Sequence, residues 1–357
     1  MAGNLPLASK DDAPQHGPRP LPLFLEMARE QLQHDPEAMA ELLHGLSAFQ
    51  SAARPAAKSE AFVIGTQGPV TVTRHASADL NRDIDVLIVP SPINAPQILD
   101  MVEGRSLIAH LEAQGLGCGL LHWGAITPQR GDETISSFVA DYLRPLLQRQ
   151  KRPVHLVGYC LGGLLALGAA CLSEIRSLTL IASPWDFSGY GPDRRSEMMA
   201  LWARNRAQCK AMRVAPIEMV QQGFWSLDKR RVVEKYRAFG KMDADSPGRA
   251  IFVAIEDWAN GGEPLPFAFA DQLFSEFIEK NASVEGQWKI DGTQISPDAV
   301  QAPALELVSA SDQITPMATS AGFANRHVYA GGHVGMVVGG SAKQRSWKDI
   351  SEWLVNN

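Results

Sequence analysis

The chain has 357 residues, a formal net charge of −6, 45% hydrophobic and 20% charged residues. This balance suits a globular enzyme that buries a sizeable core without staples, and the negative charge argues against a generic nucleic-acid binder. The four cysteines form no C-x-x-C pair. With no signal-like start and no run of about 18 apolar residues, they read as reduced thiols in a cytoplasmic protein without a membrane span.

Residues 1–20 are rich in Pro, Asp, Gln and Lys without periodicity and read as a disordered arm. Residues 21–60 read as a helical arm and linker. Asp35-Pro36 has the form of an N-cap followed by proline at the first helical position. Met39, Leu42, Leu43, Leu46 and Phe49 then recur at helical spacing. Residues 61–183 read as the first part of an α/β core. "AFVIG" and "VTVTRHA" predict a hairpin, and "DVLIVPSPIN" a buried strand ending in a proline-rich loop. "SLIAHLEAQG" predicts an amphipathic helix closed by Gly115, "GCGLLHWG" a strand, and "TISSFVADYLRPLLQRQ" a helix. "VHLVG", the short apolar helix from about Gly162, and "SLTLIAS" continue the alternation. That alternation predicts a mostly parallel sheet flanked by helices. Residues 184–302 are aromatic-rich with Pro/Gly breaks and read as an inserted helical cap. Residues 303–357 resume the core with "ALELVSA", "RHVYA" and a final amphipathic helix, "WKDISEWL".

The informative stretch is Gly158-Tyr159-Cys160-Leu161-Gly162, between a strand and a helix. Strand, Gly-x-nucleophile-x-Gly, helix is the layout of an α/β-hydrolase nucleophile elbow, where serine is usual. An activated nucleophile needs a base in reach and a group that orients the base. In this fold these follow in the order nucleophile, acid, histidine, each after a strand. Cys160 follows "VHLVG", Asp312 follows "ALELVSA" and His333 follows "RHVYA". All three are expected at the C-terminal edge of one sheet. The oxyanion-hole donors are expected to be the N–H of Leu161 and, from "PSPIN", that of Ile93, since Pro92 has none. Cys118, Cys171, Cys209, His110, His122, His155 and His327 read as structural residues. No His/Cys cluster has metal-ligand spacing, and no phosphate-loop pattern occurs, so no cofactor is expected.

The motifs "PSPIN", "GYCLGG", "ASPWDFS", "SASDQITP" and "GGHVGMVVGG", in this order, resemble those of polyhydroxyalkanoate synthases over roughly residues 85–355. The length is similar to the short, catalytic-subunit type. The resemblance implies transfer of 3-hydroxyacyl groups from coenzyme A to a growing polyester. Cys160 would carry the acyl group and His333 would be its base. Asp312 would either orient His333 or activate the incoming 3-hydroxyl. It also implies association with polymer granules and a second synthase subunit; the sequence leaves a homodimer open. No set of basic residues stands out for the coenzyme A phosphates. The chain departs from the family at Gln313, where a histidine usually follows the aspartate, and at Ala95-Pro96, where aromatic residues are common.

A thiol suits this chemistry on physical grounds. Moving an acyl group from one thioester to another is nearly isoenergetic, and its later transfer to a hydroxyl is downhill. Two alternatives stay open from the residues alone. One is a cysteine hydrolase acting on esters, thioesters or the polyester itself. The other is a non-catalytic homologue, suggested by Gln313 and the helical arm.

Overall fold

The computed structural model describes residues 16–54, 61–75 and 83–357. Residues 1–15 of the expected N-terminal arm, 55–60 of the expected linker and 76–82 lie outside the described residues. The main sheet of the described residues has eight strands. They are β1 (Ala61–Gln67), β2 (Val70–His75), β3 (Val86–Val89), β4 (Cys118–His122), β5 (His155–Tyr159), β6 (Ser177–Ile181), β7 (Ala304–Ser309) and β8 (Asn325–Tyr329). Their order across the sheet is β1-β2-β4-β3-β5-β6-β7-β8. The β1–β2 and β2–β4 pairs are antiparallel and the other five are parallel.

Residue choice follows position. Every residue of β3, β5 and β6 is buried, and apart from His155, which bonds with Ser177, these strands are runs of apolar, aromatic or small residues. Helices covering both faces remove the alternation a half-exposed strand would show. β2 keeps that alternation, with buried and half-buried residues in turn. The chain passes from β3 outward to β4 and then returns to β5 on the other side of β3. Open α/β sheets bind ligands at such a reversal, outside the carboxyl ends of the strands.

The helices obey local rules. In Leu107–Ala113 the Ser106 hydroxyl accepts from the Ala109 N–H at 2.9 Å, and Gly115 ends the turn at φ 82°. The helix expected from "TISSFVADYLRPLLQRQ" contains a π-turn, Phe138–Leu143, between two α-helical pieces. Pro145 has no N–H to offer the Asp141 carbonyl, and the Gln67 side-chain amide donates to it instead at 2.8 Å. The Leu161–Ala170 helix has no charged residue and every position is buried. A helix apolar all round belongs inside a core.

The chain divides into two compact units. The larger holds the sheet, the Pro192–Met212 and Ile217–Ser226 helices and everything from Gly261 onward. The smaller joins the described residues 16–54 to 228–260. It contains the helices Leu21–Leu32, Pro36–Gln50, Lys229–Gly240 and Pro247–Asn260. Asp35 caps the second of these by accepting from the Ala38 N–H at 2.9 Å. Phe49 is fully buried and meets Tyr236, Phe239 and Phe252 edge-on, with ring centroids 5.6, 5.9 and 6.2 Å away. Burying one such ring stabilises by about 1.5–3 kcal/mol. Gly45 allows the Pro36–Gln50 and Lys229–Gly240 helices to touch through their backbones; a Cβ there would overlap the Tyr236 carbonyl. Thus the segment 184–302, expected as one inserted cap, contributes residues to both units. Among the described residues no helix is long and apolar enough to cross a membrane.

Candidate active site

Cys160 stands between the end of β5 and the Leu161–Ala170 helix. Its backbone has φ 56° and ψ −131°, a conformation L-residues rarely adopt and a mark of functional turns. Surrounding bonds hold it there. The Cys160 N–H donates to the Ile181 carbonyl at the end of β6, and the Cys160 carbonyl accepts from the Gly163 N–H, both at 2.9 Å. Three glycines let the backbones close in. A Cβ on Gly158 would strike Gly163, one on Gly162 would strike the Val89 and Pro90 carbonyls, and one on Gly163 would strike the Ser183 hydroxyl. The strand, the helix and the β3 loop therefore meet at the cysteine.

Asp312 follows β7 and is 4% exposed. Oδ1 accepts from the N–H groups of Ile314 at 2.7 Å and Thr315 at 3.0 Å, an Asx-turn pattern. Oδ2 accepts from the Thr315 hydroxyl at 2.8 Å and from Nδ1 of His333 at 2.7 Å. His333 follows β8 and is 6% exposed. The two loops are tied together by the Ser311 hydroxyl, which donates to the Ala330 carbonyl at 2.7 Å. With Nδ1 turned to Asp312, the other ring nitrogen is left for Cys160, whose negative charge acts on the imidazole. The structure thus brings Cys160, His333 and Asp312 together.

The electrostatics follow from this geometry. Burial disfavours the His333 imidazolium, but the negative charge of nearby Cys160, then the hydrogen bond to Asp312 and the Asp312 charge, outweigh it. They push His333 up to about 10 from an ordinary 6.5. Burial likewise opposes the Asp312 carboxylate. The bond to His333, the imidazolium charge and the Thr315 bonds win, and its pKa is lowered. The remaining described thiols lie in other settings. Burial pushes Cys171 and Cys209 up, and the Cys118 Sγ lies 3.7 Å from the Leu116 carbonyl.

The two backbone donors named from the sequence differ in their surroundings. Leu161 opens a helix, where N–H groups lack an acceptor within the helix. The Ile93 N–H lies 3.3 Å from the Ser91 hydroxyl, to which it donates, and the Ile93 carbonyl accepts from the Glu263 N–H. Gln313 is exposed, so its side chain stands outside the buried set. His122 bonds with Thr73 at 2.9 Å, His155 with Ser177 at 2.7 Å and His327 with Asp349 at 2.9 Å; His110 lies against the Trp347 ring.

Four residues at the site did not stand out in the sequence. Thr315 contacts both Asp312 and His333. The Tyr159 ring lies 5.1 Å from that of His333, and its buried hydroxyl meets no partner among the described residues. Burial, then the charges of Cys160 and Asp312, hold that hydroxyl well above its ordinary pKa. The Tyr190 hydroxyl is raised by burial and by Cys160, and the Arg194 guanidinium sits 5.8 Å from its ring centroid. The signal for Tyr159 and Thr315 was their place inside "GYCLGG" and "SDQITP". Tyr190 and Arg194 carried no signal beyond following a strand end.

A buried Cys–His–Asp set on a strand–helix elbow, at the carboxyl edge of this sheet, defines a class that the comparisons also reach. The alpha/beta hydrolase family matches residues 42–338, and the chain belongs to it. Within that class it is similar to the poly(3-hydroxyalkanoate) polymerase subunit PhaC of Haloferax mediterranei. The two are 25% identical over 361 residues, covering 94% of this chain and 72% of that one. The protein of the same name from Thiocystis violacea is 25% identical over 290 residues, covering 75% of this chain and 80% of that one. A solved structure, the monoacylglycerol lipase of Paleococcus ferrophilus, has a TM-score of 0.48 and 16% identity. That match covers 76% of this chain and 93% of the lipase.

Proposed function

We propose that the protein is an acyltransferase that polymerises 3-hydroxyacyl-coenzyme A into polyhydroxyalkanoate through a thioester on Cys160. The observation that carries this reading is a cysteine in the strained elbow position whose charge acts on a histidine held through Nδ1 by a buried carboxylate. The polymerase relatives supply the substrate class.

In the first half-reaction His333 takes the Cys160 proton and the thiolate sulfur bonds to the acyl carbonyl carbon. The carbon–sulfur bond to coenzyme A then breaks, and coenzyme A leaves as a thiol with the proton from His333. In the second, His333 takes the proton of a 3-hydroxyl, whose oxygen attacks the Cys160 thioester. An ester forms, the Cys160 carbon–sulfur bond breaks, and the thiol recovers its proton. Each cycle adds one ester and frees one coenzyme A. In each step the oxyanion formed from the acyl carbonyl oxygen would sit against the Leu161 N–H and against the Ile93 N–H, once that N–H leaves the Ser91 hydroxyl.

Asp312 is the orienter in this scheme. Both of its oxygens already accept two hydrogen bonds, and its pKa is lowered, so it is a poor base for the 3-hydroxyl. The exposed Gln313 leaves this set intact. The reading places the protein in the cytoplasm at the polymer surface.

The test is incubation of purified protein with 3-hydroxybutyryl-coenzyme A. Free coenzyme A and an insoluble, ester-linked product are expected, and neither from Cys160→Ala. Release of free 3-hydroxybutyrate without any oligomer overturns the proposal and assigns the site to hydrolysis.

A further inference from the structure

Thr315 is buried, and its hydroxyl lies within hydrogen-bond distance of three acceptors or donors at once. Oγ1 is 2.8 Å from Asp312 Oδ2, 3.1 Å from His333 Nδ1 and 3.0 Å from the Ala182 carbonyl. Ala182 itself has φ 48°, a second non-glycine residue in the left-handed region, just after β6. Its N–H donates to the Leu307 carbonyl of β7. A single hydroxyl therefore stands where the ends of β6 and β7 and the histidine loop converge.

We infer that the Thr315 hydroxyl is a positioning group that fixes the Asp312 carboxylate and, through it, the His333 ring with its second nitrogen toward Cys160. This inference rests on the reading of Cys160, His333 and Asp312 as the reacting set. The backbone alone secures only half of the carboxylate. The Ile314 and Thr315 N–H groups both go to Oδ1. Without the hydroxyl, Oδ2 would hold His333 and nothing else, and the carboxyl plane could turn about the Oδ1 side. The hydroxyl adds a second contact on the Oδ2 side. It also offers the Nδ1 proton an alternative acceptor, so that proton stays on Nδ1 through small ring motions. Either effect keeps the nitrogen facing Cys160 free to accept a proton.

Two variants separate the hydroxyl from the shape. Thr315→Val keeps the branched outline and the backbone bonds but removes Oγ1; Thr315→Ser restores Oγ1. The probe is iodoacetamide, with the alkylation rate of Cys160 followed by peptide mass analysis at neutral and alkaline pH. One lost hydrogen bond in a positioned set predicts a neutral-pH rate about tenfold lower in Thr315→Val. At alkaline pH, where a thiol ionises without a base, the gap should close, and Thr315→Ser should regain most of the neutral rate. In the transfer assay the loss should fall on kcat and leave KM unchanged. Thr315→Val reacting as fast as wild type at neutral pH, or Val and Ser falling equally, overturns the inference. The parent reading fails by a different sign. Should His333→Ala leave neutral-pH alkylation of Cys160 unchanged, the reacting set itself is wrong, and the role of Thr315 falls with it. Should alkylation follow expectation while no polymer forms, the positioning role stands and only the polymerase assignment is lost.

Discussion

Replacing Asp312 with asparagine tests the site through its own hydrogen bonds. A carboxylate has two acceptor oxygens; the amide has one oxygen and one NH2. The Ile314 and Thr315 N–H groups both point at Oδ1, so they select the amide oxygen for that position. The NH2 then falls where Oδ2 was, 2.7 Å from Nδ1 of His333. Two donors would face each other there. His333 relieves the conflict by carrying its proton on the other nitrogen, the one that should accept the Cys160 proton. Loss of the charge-assisted bond alone is worth about 1.5–3 kcal/mol, about ten- to more than a hundredfold in rate. The misplaced proton adds to this; the same change in serine–histidine–aspartate sets costs about 10⁴-fold. We expect Asp312→Asn to slow alkylation of Cys160 by iodoacetamide at neutral pH by between about 10² and 10⁴. The deficit should shrink at alkaline pH while the fold persists by circular dichroism. A folded Asp312→Asn variant that alkylates at neutral pH as fast as wild type would refute the assigned hydrogen-bond directions.

Three further outcomes follow from the same structure. The Cys160 charge is the largest influence raising His333, so Cys160→Ala should bring the His333 pKa down from about 10, as read from imidazole nitrogen shifts in NMR; an unmoved pKa would contradict the pairing. Because His333 is raised in the folded state, its contribution to stability is fully present below 6.5 and fades as pH climbs through about 10. The gap in melting temperature between wild type and His333→Gln should therefore narrow over that window, and a gap that widens would reverse the sign of the coupling. Gly45→Ala places a Cβ on the Tyr236 carbonyl, and overpacking of this kind costs about 1–3 kcal/mol, measurable as a lower denaturant midpoint.

The sequence made the elbow legible because its physics is local. A strand of buried residues, three small glycines and a uniformly apolar helix leave few other ways to fold. The loops bearing Asp312 and His333 were placed by the same means, since "ALELVSA" and "RHVYA" are short and end abruptly. What joins them is not local. Thr315 meets His333 across eighteen residues and Ala182 across 133, and no pattern in "SDQITP" announces either contact. The Ile93 N–H was chosen by excluding proline; its bond to Ser91 depends on loop geometry that composition does not encode. The π-turn at Phe138–Leu143 had a visible cause in Pro145, but its relief by Gln67 comes from another strand. The grouping of residues 228–260 with the N-terminal helices was hidden for the same reason. An amphipathic helix declares that it needs a partner, not which one.

That grouping has a consequence for how the protein is made. The helices ending at Leu32 and Gln50 leave the ribosome early, yet the aromatic rings that Phe49 packs against arrive with Tyr236, Phe239 and Phe252. At synthesis rates of about 5–20 residues per second, a gap of about 190 residues is a delay of about ten to forty seconds. For that interval Phe24 and Phe49, both buried in the finished chain, lack the aromatic rings they meet there. The helices Leu21–Leu32 and Pro36–Gln50 thus wait for a distant segment before they can pack, and in the growing chain they are a natural place for a chaperone to hold.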